Sequence, residues 1–336
     1  LLAVARGERV RGPLDAATLD AAATEGLTGL LARLAEEPTR ELRIRAATIE
    51  ARALYLGAEL ERIVAAFGDV PLLALKGLVV SQQLYGDPGL RVFADLDLIV
   101  GQRDADRGEA ILRTLGYRDA TPLTPAQRAT KRRFQSGTEF VHDAHGAVID
   151  FHWRFGHVQF PLALPFADAF SRRTHVSSVP TLGLSDLAVF TCSHAAKHFW
   201  FRLETLAQLA ALTRLPIDWQ EVDRIAVRSL AARQVGLSFL IAQDVLGTPL
   251  PPLPRCLSAA RQTWPRLRGR LQKPHAQDPR GRDLLLLLDR RRDALAAAAA
   301  AIFVPTHADW AASAAPEPLQ WLMRPWRLLR NRWRRR

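Results

Sequence analysis

The stretch Arg91-Val-Phe-Ala-Asp95-Leu96-Asp97-Leu98-Ile99-Val100 is the most informative segment of the chain. Its apolar character predicts a strand over Val92 to Val100, and a strand sends successive side chains to opposite faces. Asp95 and Asp97 then share one face, while Leu96 and Leu98 point into a core. Two carboxylates side by side repel each other and lose hydration. A strand flanked by Leu-Ile-Val therefore asks for a cation between them. Magnesium suits the request, because it takes one or two carboxylates, keeps water, and leaves positions for substrate phosphates. Taken alone, the pair is also explained by a cap on a neighbouring helix or by an arginine such as Arg91.

Downstream, Phe140 to His142 and Ala147 to Trp153 predict a hairpin around Asp143-Ala144-His145-Gly146. Alternation along Val148-Ile149-Asp150-Phe151-His152-Trp153 puts Asp150 and His152 on one face and Ile149, Phe151 and Trp153 on the other. An aspartate inside an apolar strand needs a partner. If this strand neighbours the first, three carboxylates converge, and such clusters hold two metal ions roughly 3.5–4 Å apart for in-line phosphoryl transfer. His152 shares the Asp150 face and can orient that carboxylate or move a proton. Upstream, Val70 to Leu75 reads as a buried strand and Leu78 to Tyr85 as a helix stopped by Gly86-Asp87-Pro88-Gly89. Asp104 to Leu115 reads as a further helix ended by Gly116.

Helical spacing dominates on either side. Residues 13 to about 66 read as helices divided at Pro38, and a long helix capped by Ser185 or Asp186 is expected to run to about Arg214. Further helices are expected over 219–247, 257–272 and 281–302. The fold class is α+β, with an N-terminal helical region over 1–66, a catalytic core over 67–160, and a C-terminal helical region with a basic tail over 161–336.

The 336 residues are 48% hydrophobic, enough for a substantial core. No apolar run reaches the roughly 18 residues of a membrane span, and charges at Arg6, Glu8, Arg9 and Arg11 interrupt any leader-like segment. A cytoplasmic protein is the expectation. Cys192 and Cys256 fit neither a zinc site nor a disulfide framework. The net charge is +12, and Arg324, Arg327, Arg330, Arg332, Arg334, Arg335 and Arg336 follow the last acidic residue, Glu317. That tail interleaves arginine with Trp321, Trp326 and Trp333, a pattern that suits anionic membrane, nucleic acid, or packing back on the body. Lys131-Arg132-Arg133 reads first as a solvated charge run and second as a phosphate-steering segment. His194 and His198 share a helix face and read as packing or pocket-lining residues, since no metalloprotease glutamate follows His194.

With these segments in view the chain resembles the polymerase-β-like nucleotidyltransferases. More narrowly, it resembles the bacterial uncharacterised nucleotidyltransferase family often encoded near peptide-tailoring genes of the lasso-peptide type. The resemblance is carried by Leu73-Ala-Leu-Lys-Gly77, Leu84-Tyr-Gly-Asp-Pro-Gly-Leu-Arg91, Ala94-Asp-Leu-Asp-Leu-Ile-Val100, Leu115-Gly-Tyr117 and Val148-Ile-Asp-Phe-His-Trp153. It continues more loosely through His194-Ala-Ala-Lys-His198 and Arg324-Pro-Trp-Arg-Leu-Leu329.

The resemblance implies that Asp95, Asp97 and Asp150 are catalytic metal ligands for Mg²⁺, with Mn²⁺ as a substitute. It implies a nucleoside triphosphate substrate, ATP first, and an acceptor that includes peptides among its candidates. Lys76-Gly77 would occupy the turn where relatives carry Gly-Ser or Gly-Gly, with Gly77 letting the backbone approach phosphate. Lys76, Arg91 and His152 complete the expected nucleotide-binding set. The competing readings are a metal-dependent glycosyltransferase using Asp-x-Asp, a non-catalytic nucleotide-binding relative, and a toxin acting on tRNA or protein.

Overall fold

Seven short strands form one mixed sheet: β1 (Leu72–Ala74), β2 (Asp95–Val100), β3 (Tyr117–Asp119), β4 (Gly137–His142), β5 (Val148–His152), β6 (Thr174–Val176) and β7 (Val179–Thr181). Their order is β3-β4-β5-β2-β1-β7-β6, so β2 and β5 are interior strands. The computed structural model describes residues 1–271, 281–311, 321, 324–328 and 330.

The register decides where the side chains go. β2 and β5 run parallel, pairing Leu96 with Ile149, Asp97 with Asp150 and Leu98 with Phe151. One face therefore collects Leu96, Leu98, Ile149 and Phe151, all buried. Helices cover this face. Phe67, at the end of the Arg40–Phe67 helix, meets the Phe151 ring at 6.4 Å, and Phe140 of β4 meets it at 6.1 Å. Gly108 of the Ala105–Thr114 helix lies so close to Phe151 that a Cβ there would stand 2.6 Å from its Cζ. The absent side chain lets that helix settle on the sheet. Burial of such a Phe side chain stabilises the fold by roughly 1.5–3 kcal/mol.

The opposite face carries Asp97, Asp150 and His152, and the Leu184–Lys197 helix lies beside it. This helix is nearly buried all round, from Asp186 through Ala196. Gly183 takes its N-cap position, and the expected cap Asp186 instead receives two 2.8 Å hydrogen bonds from Arg172. The long helix expected to reach Arg214 is two helices, Leu184–Lys197 and Leu203–Leu212. Phe199 and Trp200 break it with φ of 56° and 50°. Both rings are buried there, and Trp200 Nε1 donates to Ser238 Oγ at 2.9 Å. Aromatic burial and a satisfied indole offset the left-handed backbone. A similar break at Leu230, φ 59°, divides the expected 219–247 helix into Trp219–Arg228 and Ala232–Leu246.

Two further differences from the sequence reading concern the sheet. The β6–β7 hairpin lies beyond residue 160, where only helix was expected, and β7 joins β1 through Ala74 opposite Thr181. The Pro125–Phe134 helix, capped reciprocally by Thr124 and Gln127, carries Lys131-Arg132-Arg133. That run is not a solvated face. Lys131 Nζ donates to Thr138 Oγ1 at 2.9 Å, and the Arg132 guanidinium lies 4.1 Å over the Trp153 ring and reaches Glu109 at 2.7 Å. No described helix is long and apolar enough to cross a membrane. The tail turns back in part: Arg324 and Arg327 both pair with the buried Asp309, and Trp321 meets Phe134 edge-on at 5.3 Å. Trp333 and the arginines from 332 onward lie outside the described residues.

Candidate active site

Parallel pairing sets Asp97 directly against Asp150, and two residues on it brings in His152. Ligand atoms of Asp97, Asp150 and His152 all lie within 4.8 Å of one another. Asp95 shares the parity of Asp97 but stands outside this set, opposite Val148 and nearer the strand's start. Among the described residues, then, the group nearest the two paired carboxylates is the histidine.

The electrostatics are uneven. Burial pushes the Asp97 carboxyl up, but the Lys76 ammonium and the His152 ring outweigh it and hold the group well below the usual carboxylate range. Lys76 Nζ lies 2.5 Å from Asp97 Oδ1. Asp95 has no such partner. Burial and then the Asp97 charge raise its carboxyl, with Lys76 opposing. Burial lowers His152, and the neighbouring Asp150 and Asp97 raise it by more. Its Nε2 lies 3.1 Å from Asp150 Oδ2 and 3.5 Å from Asp97 Oδ1, within ion-pair distance of both, yet neither contact is aligned as a hydrogen bond.

A buried imidazole nitrogen without a hydrogen bond, facing two carboxylates, carries a desolvation cost that a cation would relieve. The two carboxylates suit Mg²⁺ or Mn²⁺, which take oxygen ligands, while the imidazole as a direct donor would favour borderline metals over Mg²⁺. The residues fit a divalent cation.

Space for the imidazole comes from Gly137, which faces His152 in the β4–β5 register. A Cβ at Gly137 would stand 2.8 Å from His152 Nδ1 and 2.6 Å from the Phe151 carbonyl oxygen. Gly77 has a different task. Its φ of 66° and ψ of −130° belong to backbone that only glycine adopts easily, and it starts the Leu78–Tyr85 helix under the Phe93 ring. Lys76 is thereby turned from the end of β1 toward Asp97, while Leu75 N–H still bonds the Asp97 carbonyl at 2.9 Å.

Arg91 is placed differently from the carboxylates. Its Nε donates to Glu204 at 2.7 Å, both side chains are nearly buried, and Asp87 accepts from Gly89 N–H rather than from Arg91. Arg91 still borders a cavity that Lys76 also lines.

Two more lysines lie near the aspartates: Lys197, to which the sequence assigned no site role, and Lys131, for which phosphate steering was only the second reading. Lys197 lines a small cavity with Lys76, Asp150, His152, Ser136 and His194. Burial and the Lys76 charge lower its ammonium, against the pull of Asp150 and Asp97. Lys131 is lowered by burial and drawn up by Asp150. His194, from burial first and then Lys76, is held well below its ordinary value. His198 is pushed to about 4 by burial, with Lys197 and Lys76 adding. Helical spacing from Lys197 to His194 was the available signal for the first lysine; for Lys131, only the position of β4 reveals it.

The mixed sheet of this α+β protein thus brings Asp97, Asp150 and His152 together, with Lys76 and Lys197 beside them. A family model described as an uncharacterised nucleotidyltransferase matches residues 1–247. The chain belongs to this family, whose description implies nucleotidyl transfer from a nucleoside triphosphate. The match contains every site residue and ends at Gly247, the residue that closes the Ala232–Leu246 helix in a left-handed conformation. No curated protein matches the chain.

Proposed function

We propose that the protein transfers a nucleoside monophosphate from a triphosphate, ATP first, to an acceptor hydroxyl or phosphate at a magnesium site on Asp97, Asp150 and His152. Asp95 stands beside that site as a further carboxylate, and the core is of the polymerase-β type. The observation that carries this reading is the Asp97–Asp150 register together with His152 Nε2, buried beside both carboxylates without a hydrogen bond. A bound Mg²⁺ would supply charge neutralisation at the phosphates and ease ionisation of the attacking hydroxyl.

The protein's own groups do the remaining work by position and charge. Lys76 and Lys197 face the same cavity as Asp150 and would neutralise the triphosphate and the departing pyrophosphate. The backbone at Gly77, with no Cβ in the way, would let phosphate approach the start of the Leu78–Tyr85 helix. Asp150, whose side chain is 39% exposed, can take the proton of the acceptor hydroxyl. One bond forms from the acceptor oxygen to the α-phosphorus, and the bond to the β-phosphate oxygen breaks. A peptide is the acceptor class we would try first, on the family resemblance.

Incubation with each α-labelled ribonucleoside triphosphate, Mg²⁺ and candidate peptides, RNA or small molecules tests the reading. Label should move to one acceptor class with wild type and not with Asp97→Asn. Equal transfer by both proteins would remove Asp97 from the reaction.

A further inference from the structure

On the far side of Lys76 from the carboxylates lies a second cavity of about 210 Å³, between the Leu78–Tyr85 helix and the Leu184–Lys197 and Leu203–Leu212 helices. It shares Leu75, Lys76, Phe190 and His194 with the cavity that contains Asp150 and His152. The two spaces are neighbours with Lys76 at their border. The transfer reading accounts for the first and leaves the second without an occupant.

We infer that this second cavity is the nucleobase pocket of the triphosphate substrate, a proposal that rests on the transfer reading above. Its size is the first reason. Pockets that enclose a whole drug-sized ligand run to roughly 300–1,000 Å³, so this one suits a single planar ring system.

Its walls are the second reason. Phe190 and His194 lie nearly parallel at 6.1 Å, and His198 meets Phe201 at 6.3 Å. Aromatic faces of this kind stack on any base. The imidazoles are neutral near pH 7, because burial holds both below their ordinary value. Each then offers one N–H donor and one acceptor nitrogen, as a base edge requires. Thr191 and Gln208, both buried, add polar atoms to the lining.

Charge is the third. Arg91, which borders the cavity, is already neutralised by Glu204 at 2.7 Å. Arg202, also in the lining, lies 5.3 Å over the Phe201 ring and keeps that rim positive, so Arg202 and Lys76 suit the phosphates and the paired interior suits the neutral base. A nucleotide with its base among these rings would run past Lys76 to Asp97 and Asp150.

The test compares two ligands on the full-length chain with Mg²⁺ by titration calorimetry: ATP, and inorganic tripolyphosphate, which has no base. The variant is Phe201→Ala, whose ring is 40% exposed and carries little of the core. The expected result is about tenfold weaker ATP binding with tripolyphosphate affinity unchanged, the scale of one lost stacking partner. Unchanged ATP affinity overturns the pocket and leaves the transfer reading standing. Equal weakening of both ligands overturns it too, since the effect would then lie on the phosphates. Wild type that binds neither ligand overturns the transfer reading and the pocket with it.

Discussion

Glu109 and Asp97 are both buried carboxylates of one core, yet their surroundings differ in kind. Glu109, on the Ala105–Thr114 helix, is met by Arg113 at 3.1 Å, Arg128 at 3.1 Å and Arg132 at 2.7 Å. The same Arg113 and Arg128 also reach Asp119 of β3. Guanidinium forks close that cluster: every charge has an opposite partner, even though Arg132 Nη1 is itself buried without a hydrogen bond. Around Asp97 the cations are lysines, Asp95 is left with a raised carboxyl, and His152 Nε2, though within 3.1 Å of Asp150, is buried without a hydrogen bond. Burial and acidity are therefore poor guides to function when taken alone. Incomplete pairing is the better one.

The contrast can be broken most directly at Asp97. Asp97→Asn should lower transfer by more than about a hundredfold, beyond the loss typical of a group that only supports a ligand. Its melting temperature should stay near wild type, because Lys76 is 24% exposed and can return to water. A large fall in melting temperature would make Asp97 a structural residue like Glu109. The converse experiment is Glu109→Gln. Removing the shared acid from three guanidinium groups should cost about 3 kcal/mol of stability, read by urea denaturation. Folded Glu109→Gln should keep its metal-dependent nucleotide binding, and loss of that binding would link the two clusters.

Acidity separates the two regions on a smaller scale. Burial first, and then the Lys197 charge, push His157 from its ordinary 6.5 to about 4. The fold therefore refuses a proton that the unfolded chain accepts. The stability that goes with neutral His157 is complete above about pH 6.5 and is lost as pH falls toward about 4. His157→Gln should flatten melting temperature against pH in that window. On the arginine side burial raises the Asp119 carboxyl, and Arg128 and Arg113 lower it by more, to below its ordinary 3.8. That cluster should weaken only at lower pH. An unchanged slope in the His157 variant would dismiss its part. The smallest effect is expected at Arg118, whose 2.6 Å pair with Asp143 is 60% and 63% exposed. Arg118→Ala should change stability by less than about 1 kcal/mol, and a larger loss would show that exposed pairs on this sheet are not interchangeable with the general case.

The site was legible where a short period was enough. Parity along β2 put Asp95 beside Asp97 and separated them from Leu96 and Leu98. Parity along β5 separated Asp150 and His152 from Ile149, Phe151 and Trp153. What parity does not contain is register. Only the observed pairing of Asp97 with Asp150 shows that His152, rather than Asp95, completes the closest donor set. The Leu78–Tyr85 helix was legible to the residue, since Gly77 and Gly86 bracket it. The break at Phe199–Trp200 was not, because local sequence favours continuing the helix and a tertiary hydrogen bond to Ser238 decides otherwise. Gly137 was missed, and Lys131 was read only second as a site residue, for the same reason: each matters through a strand neighbour, and the hairpin was read as starting only at Phe140.

The parallel pairings of the sheet bear on when the protein becomes an enzyme. Asp97 meets Asp150 only after the whole β3–β4 excursion has been made, and Thr181 Oγ1 bonds the Ala74 carbonyl across 107 residues of chain. Contacts of such long sequence separation close slowly, because chain entropy is lost before they form. On a ribosome β1 and β2 would emerge well before the strands that flank them. Nascent chain would carry an unpaired β2 edge with two aspartates on one face. That charge would discourage edge-to-edge association with other chains while β5 is being made. The same two carboxylates would thus act during synthesis as guards against misassembly.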